Sequence, residues 1–161
     1  MMPDTGNRGQ IAVEFVLIVG LVTLIVLSAY PVLHKQMELN KALAAARDGA
    51  VYGASYRGLA YYTSRTSPSN RNPRGVIKVT SVTLIPKGVE EETGKEMYQI
   101  RIDAVGPPYL SGYENSLEAS IRNYARSYVY NAFYGEYRGG FSPVYTTYYR
   151  FTFSANLSSG G

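Results

Sequence analysis

From Ile11 to Tyr30 the chain carries a single charged side chain, Glu14, in an otherwise apolar run. About 20 such residues in an α-helix span the roughly 30 Å hydrocarbon core of a bilayer. A helix that is apolar on every face must be buried in lipid or among other helices. This segment therefore bounds the rest of the 161-residue chain, which retains material for one modest domain. A secretory signal peptide would have a shorter apolar core and a small-residue cleavage site after it. Here the polar leader MMPDTGNRG comes first, and no turn separates Tyr30 from the helical pattern that follows, so any cut is expected before the helix. Glu14 stands out. A carboxylate at the centre of a membrane helix costs about 2.5–3.5 kcal/mol on insertion scales, so one kept there is expected to have a task.

The helical pattern continues over residues 32–62. Leu39, Leu43, Ala46, Ala50 and Ala54 recur at helical spacing as one stripe, while Lys35, Glu38, Lys41 and Asp48 fall largely elsewhere. Around the stripe lie Ala42, Ala44, Ala45, Gly49 and Gly53, small residues that let a neighbouring element approach closely, with a GxxxG spacing at 49 and 53. Packing of this face against the chain's own downstream domain is the favoured reading. Pro31, lacking an N–H, is expected to kink or loosen the helix where the apolar run meets the amphipathic one. A helix from Gln10 to about Tyr62 would measure roughly 80 Å at 1.5 Å per residue, longer than a small domain can cover.

Residues 63–75, TSRTSPSNRNPRG, read as the exit loop. Arg65, Arg71 and Arg74 could grip phosphates, but no aromatic residues interleave with them, so a solvated loop is favoured and nucleic acid is not an expected partner. Val76–Ile85 and Met97–Val105 are β-prone and flank PKGVEEETGKE, a pattern expected to form a hairpin with one buried face. Glu90, Glu91, Glu92 and Glu96 lack the ligand spacing of a calcium loop. A second helix is expected over Ser116–Tyr134, with Asn115 and Glu118 as a capping pair, Leu117, Ile121, Tyr124 and Tyr128 as its apolar stripe, Arg122, Asn123 and Arg126 on the other face, and Gly135 as its stop. PVYTTYYRFTFSA reads as one last strand, with Tyr145, Thr147, Tyr149, Phe151 and Phe153 on one side. Asn156 opens an Asn-Leu-Ser glycosylation sequon on an expected exposed tail.

Composition narrows the chemistry. The absence of cysteine removes disulfides, thiolate nucleophiles and cysteine-ligated metals, and His34 as the only histidine makes a His-rich metal site or a Ser/His/Asp triad hard to build. A hydrolytic carboxylate pair such as Asp103 with Glu114 has no supporting spacing. No enzymatic activity, metal or cofactor is expected. The net charge of +4 is mild and dispersed, while 16 tyrosines suit wet contact surfaces.

The residues R-G-Q-x-x-x-E leading into the apolar run resemble the class III signal peptide of archaeal type IV pilins. LNKALAAARDGAVYGAS, residues 39–55, is similar to the segment after the membrane helix in TadE-like pilus proteins. The resemblance covers residues 8 to about 56. It implies a prepilin peptidase cut between Gly9 and Gln10, a cleavable leader at 1–9, a long helix at 10–62 with residues 11–30 as membrane span and filament core, and a head at 63–161. It further implies that Glu14 pairs with the free amine of a neighbouring subunit's Gln10 during assembly, as suits opposite charges in a low-dielectric core. The expected fold is α+β: a long N-terminal helix followed by a small antiparallel β head with one packed helix. The expected function is a structural pilin, a self-assembling homopolymer held in the cytoplasmic membrane before the pilus assembly machinery extrudes it to the cell surface. A minor or priming pilin, or an anchored surface-binding protein that never polymerises, are the alternatives.

Overall fold

The computed structural model describes residues 6–65, 77–110, 112–140 and 142–159. Arg71, Arg74 and most of the expected exit loop lie outside them. The chain divides into two compact units, Met1–Glu38 and Leu39–Gly161. Helix α1, Gly6–Arg65, runs through both and passes Pro31 without ending. In the first unit residues 12–33 are exposed on every face, as all-round apolarity requires of a helix with nothing of its own chain against it.

The second unit joins the later part of α1 to two hairpins and a helix: β1 (Lys78–Val89), β2 (Glu96–Gly106), a 3-10 turn at Pro108–Leu110, α2 (Glu114–Tyr134), β3 (Val144–Tyr145) and β4 (Tyr149–Ser159). The fold is α+β, as the sequence pattern implied. The four strands form one sheet in the order β1-β2-β4-β3. Both neighbouring hairpins are antiparallel, but β2 and β4 run parallel, so the sheet is mixed. After β2 the chain passes through α2 into β3, which runs opposite to β2, and the β3–β4 hairpin reverses it once more, so β4 comes back parallel to β2.

Alternation of side chains fixes the buried face. Tyr98, Ile100, Ile102 and Ala104 on β2 stand beside Phe151, Phe153, Ala155 and Leu157 on β4, and the hairpin partner β1 contributes Val79, Val82 and Leu84. Gln99, Arg101 and Asp103 alternate to the other face with Thr152, Ser154 and Asn156. A bulge between Val79 and Ser81 resets the register of β1 so that Val82 and Leu84 meet Ile102 and Ile100.

Against α2 sits the small-residue face of α1. Ala42, Ala46, Ala50 and Ala54 are fully buried, with Leu39 packed at the margin of the core. Gly49 and Gly53 lie so close to α2 that a Cβ at Gly49 would come within 2.6 Å of the Tyr124 carbonyl oxygen and 2.8 Å of the Ala125 Cα. The GxxxG spacing thus serves a contact inside the head, the favoured reading above. Tyr52 and Tyr56 flank the seam and pack edge-on against Tyr124, at ring-centroid distances of 5.2 and 5.9 Å.

Three expectations need correction. Helix α2 starts at Glu114, with Tyr113 at its N-cap and no side-chain cap, because the turn after Leu110 feeds the helix directly: the N–H groups of Ser116 and Leu117 both donate to the Tyr113 carbonyl. Asn115 is therefore inside the helix, and Glu118 accepts a hydrogen bond from the Leu157 N–H of β4 at 2.8 Å rather than closing a capping box. The deepest stripe of α2 is Leu117, Ile121, Ala125 and Val129, with Tyr124 and Tyr128 displaced toward α1, and Arg126 is buried rather than solvated. The expected single last strand is two, since Thr146 N–H donates to the Tyr149 carbonyl and the Thr146 hydroxyl accepts from Tyr149 N–H, turning the chain back on itself. Gly135 stops α2 as expected, in the left-handed conformation at φ 75° with its N–H on the Asn131 carbonyl.

Candidate functional site

The Gly9–Gln10 bond lies in the first turns of α1. The first four N–H groups of a helix have no intrahelical partner, so unwinding this end breaks few hydrogen bonds. A peptidase that needs an extended substrate could reach the bond by fraying little more than one turn. Gln10 and Glu14 are one turn apart and share a face. Glu14 is exposed, in the midst of Val13, Phe15, Val16, Leu17 and Ile18, each at least 60 % exposed.

Two hydroxyl groups of the run are satisfied within the helix. The Thr23 hydroxyl donates to the Val19 carbonyl and the Ser28 hydroxyl to the Ile25 carbonyl, both at 2.8 Å, so each satisfies itself within the helix. Tyr30 stacks on His34 at 5.8 Å. Pro31 withholds an N–H from the Leu27 carbonyl, yet the helix persists on both sides. Glu14 is the one charged residue of the Ile11–Tyr30 run, within a helix long and apolar enough, by length and composition, to cross a membrane.

Residues 7–29 match the class III signal peptide family. With the long apolar helix, the match fits a type IV pilin-like protein. No curated protein and no solved structure gives a significant match. A class III signal peptide implies processing by a prepilin peptidase and passage into a pilus-type assembly. The matched segment contains Gly9, Gln10 and Glu14 and stops short of Pro31.

In the second unit several charged residues hold local structure. Asp103 on β2 accepts from the Ser81 hydroxyl at 2.9 Å and from Arg101 Nε at 3.1 Å. The Ser81 bond chiefly, with Arg101 and Asn156 assisting against a desolvation penalty, holds its carboxyl below the usual range. Asp103 is thereby committed to the sheet's polar face. Asn156 is exposed on that face, within β4 and opposite Asp103, not on a tail. Of the acidic turn residues, Glu90 pairs with Arg150 and takes the Thr93 hydroxyl, while Glu91 and Glu92 are exposed. Arg126, placed by the sequence pattern on the other face of α2, has a role that pattern did not show: Nε donates to the Ser142 carbonyl and Nη1 to the Arg138 carbonyl, pinning the segment after α2.

Proposed function

We propose that the chain is the precursor of a structural pilin, a subunit of a type IV-like filament on an archaeal cell surface. The class III signal peptide match, on a helix exposed around its whole circumference from residue 12 to 33, is the observation that carries the reading. In this reading a prepilin peptidase cuts Gly9–Gln10 on the cytoplasmic side. Residues 11–30 reside in the membrane until the assembly machinery moves them into a bundle of like helices, and the tyrosine-rich head faces outward. Pro31 marks the place where the bundled helix can bend as the head begins. Asn156, on an exposed strand face, becomes available to glycosylation once exported.

Glu14 is the assembly residue of this scheme, paired with the Gln10 amine of a neighbour. The test is Glu14→Gln and Glu14→Leu, scored by mass spectrometry for removal of residues 1–9 and by electron microscopy for filament yield. Both variants should insert and be cleaved, since neither carries a charge into lipid, and filament mass should fall sharply. Uncleaved precursor in both would assign Glu14 to peptidase recognition instead. Abundant filaments from Glu14→Leu would refute the pairing, and a wild-type chain that is never cleaved or assembled would refute the pilin reading itself.

A further inference from the structure

Arg122 and Arg126 stand one turn apart on α2 and, with Phe153 of β4 and Gly140, line a cavity of about 90 Å³ in the head. Among the described residues, no carboxylate lines it. Like charges at this helical spacing repel. Arg126 is only 5 % exposed, and the two N–H groups it has placed are on carbonyls, which are neutral. A third guanidinium is close, since Arg126 and Arg138 both lie over the Tyr130 ring, at 5.7 and 6.0 Å. Burial above all, and then the Arg138 charge, push the Arg126 guanidinium below its ordinary value. A buried cation costs several kcal/mol unless an opposite charge and further hydrogen bonds compensate it. The guanidinium fork carries five donors matched to a carboxylate. On the Gly140 side a Cβ would meet nothing within 4 Å, so the cavity wall is open there.

We propose that this cavity is a carboxylate-binding pocket whose occupant in the filament is Glu91 or Glu92 on the β1–β2 turn of a second copy. The proposal rests on the self-assembly reading above. These two side chains are exposed, and the turn that presents them is held: Glu90 N–H donates to the Lys95 carbonyl at 2.9 Å, Gly94 N–H donates to the Glu90 carbonyl at 2.8 Å, and the Glu90 carboxylate is engaged by Arg150 and Thr93. Glu91 and Glu92 stay available on a rigid support. Presentation on a pre-ordered turn lowers the entropic cost of docking, and a charge-assisted bidentate contact would fix the register between neighbouring heads.

The absence of cysteine makes the contact directly testable. Gly139, beside the pocket, has open space around a Cβ, so Gly139→Cys leaves both arginines in place. Filaments grown from a mixture of Glu91→Cys and Gly139→Cys chains should yield a disulfide-linked dimer on mild oxidation, and filaments of either variant alone should not. Arg122→Glu in the Gly139→Cys chain should cut the dimer about tenfold, the effect of losing roughly 1.4 kcal/mol, and Glu91→Lys with Glu92→Lys should lower filament yield in the wild-type background. A second arm titrates acetate onto the full chain in detergent micelles and follows the arginine side-chain NMR signals, which should shift saturably. An acetate shift with normal filaments and no cross-link assigns the pocket to a free carboxylate and overturns the second-copy occupant. Neither shift nor cross-link overturns the pocket altogether. If the wild-type chain forms no filaments, the pilin reading fails and the second-copy occupant with it, while the acetate arm still decides whether the pocket takes a carboxylate.

Discussion

Gly49→Ala adds one methyl group to a helix and should destabilise the head, against the usual trend. In an ordinary helix interior alanine is better than glycine by about 1 kcal/mol. Here the new Cβ would meet the Tyr124 carbonyl oxygen at 2.6 Å, the Ala125 Cα at 2.8 Å and the Tyr128 Cβ at 2.8 Å. None of these atoms can swing away as the tip of a flexible side chain can, so α1 and α2 must separate or shift. Overpacking of this kind costs about 1–3 kcal/mol, and contact with backbone on α2 puts Gly49 at the upper end. The net loss is about 1–2 kcal/mol, which for a chain of this size lowers the melting temperature by roughly 2–8 °C. Gly53→Ala is a graded comparison: its nearest contacts are 3.0 Å to two atoms of the Tyr124 side chain and 3.2 Å to the Ile121 Cα, so the two effects should nearly cancel. Gly20→Ala, with nothing within 4 Å in the single chain, should leave head unfolding unchanged. Thermal unfolding in detergent followed by near-UV circular dichroism of the tyrosines at the seam reports on this packing. A Gly49→Ala melting temperature at or above wild type would refute the close approach of the two helices.

Substitutions at two further positions probe the joints of the sheet. Glu118→Ala leaves the Leu157 N–H without its acceptor, a loss of about 1–3 kcal/mol, whereas Glu118→Gln keeps a carbonyl there and should retain most of the stability in the same melting assay. Asp103, held below its usual range, contributes stability that is fully present above its ordinary value near 3.8 and is lost as pH falls through its lower folded value. The stability gap between wild type and Asp103→Asn should therefore stay under about 1 kcal/mol at pH 5 and close as the pH is taken toward 2, measured by urea titration at each pH.

The parts legible in the sequence are those where one periodicity dominates. The apolar run points to one long helix apolar on every face, the stripe of Leu39, Leu43, Ala46, Ala50 and Ala54 to a packed face of the same helix, and the alternation of Tyr98, Ile100, Ile102 and Ala104 to one buried face of a strand; each element is found, with the packed face of α1 turned so that Ala42 is fully buried and Leu43 only half-buried. The misread parts depend on tertiary partners. Asn115 and Glu118 have the spacing of a capping pair, but the preceding 3-10 turn already supplied an entry to the helix and β4 supplied a better donor for Glu118. Alternation across Tyr145 to Tyr149 survives a strand reversal, because Thr146 can close the turn with its own hydroxyl while the tyrosines keep a β-prone composition. Arg126 carries no warning of burial, since its partners are backbone carbonyls, which every sequence possesses. The parallel pairing of β2 and β4 follows from the α2 connection together with the reversal between β3 and β4, and no local pattern encodes it.

The class III signal peptide segment was legible because its physics is local, and in the pilin reading the same physics accounts for a charge kept there. Between residues 13 and 33 the exposed apolar side chains would each gain about 1.5–3 kcal/mol on leaving water. Summed over the run this far exceeds the roughly 2.5–3.5 kcal/mol that Glu14 costs at the centre of a bilayer, so the helix enters lipid despite its carboxylate. Movement from lipid into a bundle of like helices is a different transfer. Acyl chains are about as apolar as leucine side chains, so the hydrophobic term largely cancels and cannot set the direction of that step. What remains is close packing, contacts between heads, and the polar groups. Thr23 and Ser28 are satisfied within their own helix in either solvent and contribute no bias. In the pilin reading, Glu14 alone among the charged groups of the run gains by leaving lipid for a site that offers it an amine. The penalty it carries in the membrane becomes part of the driving force for assembly.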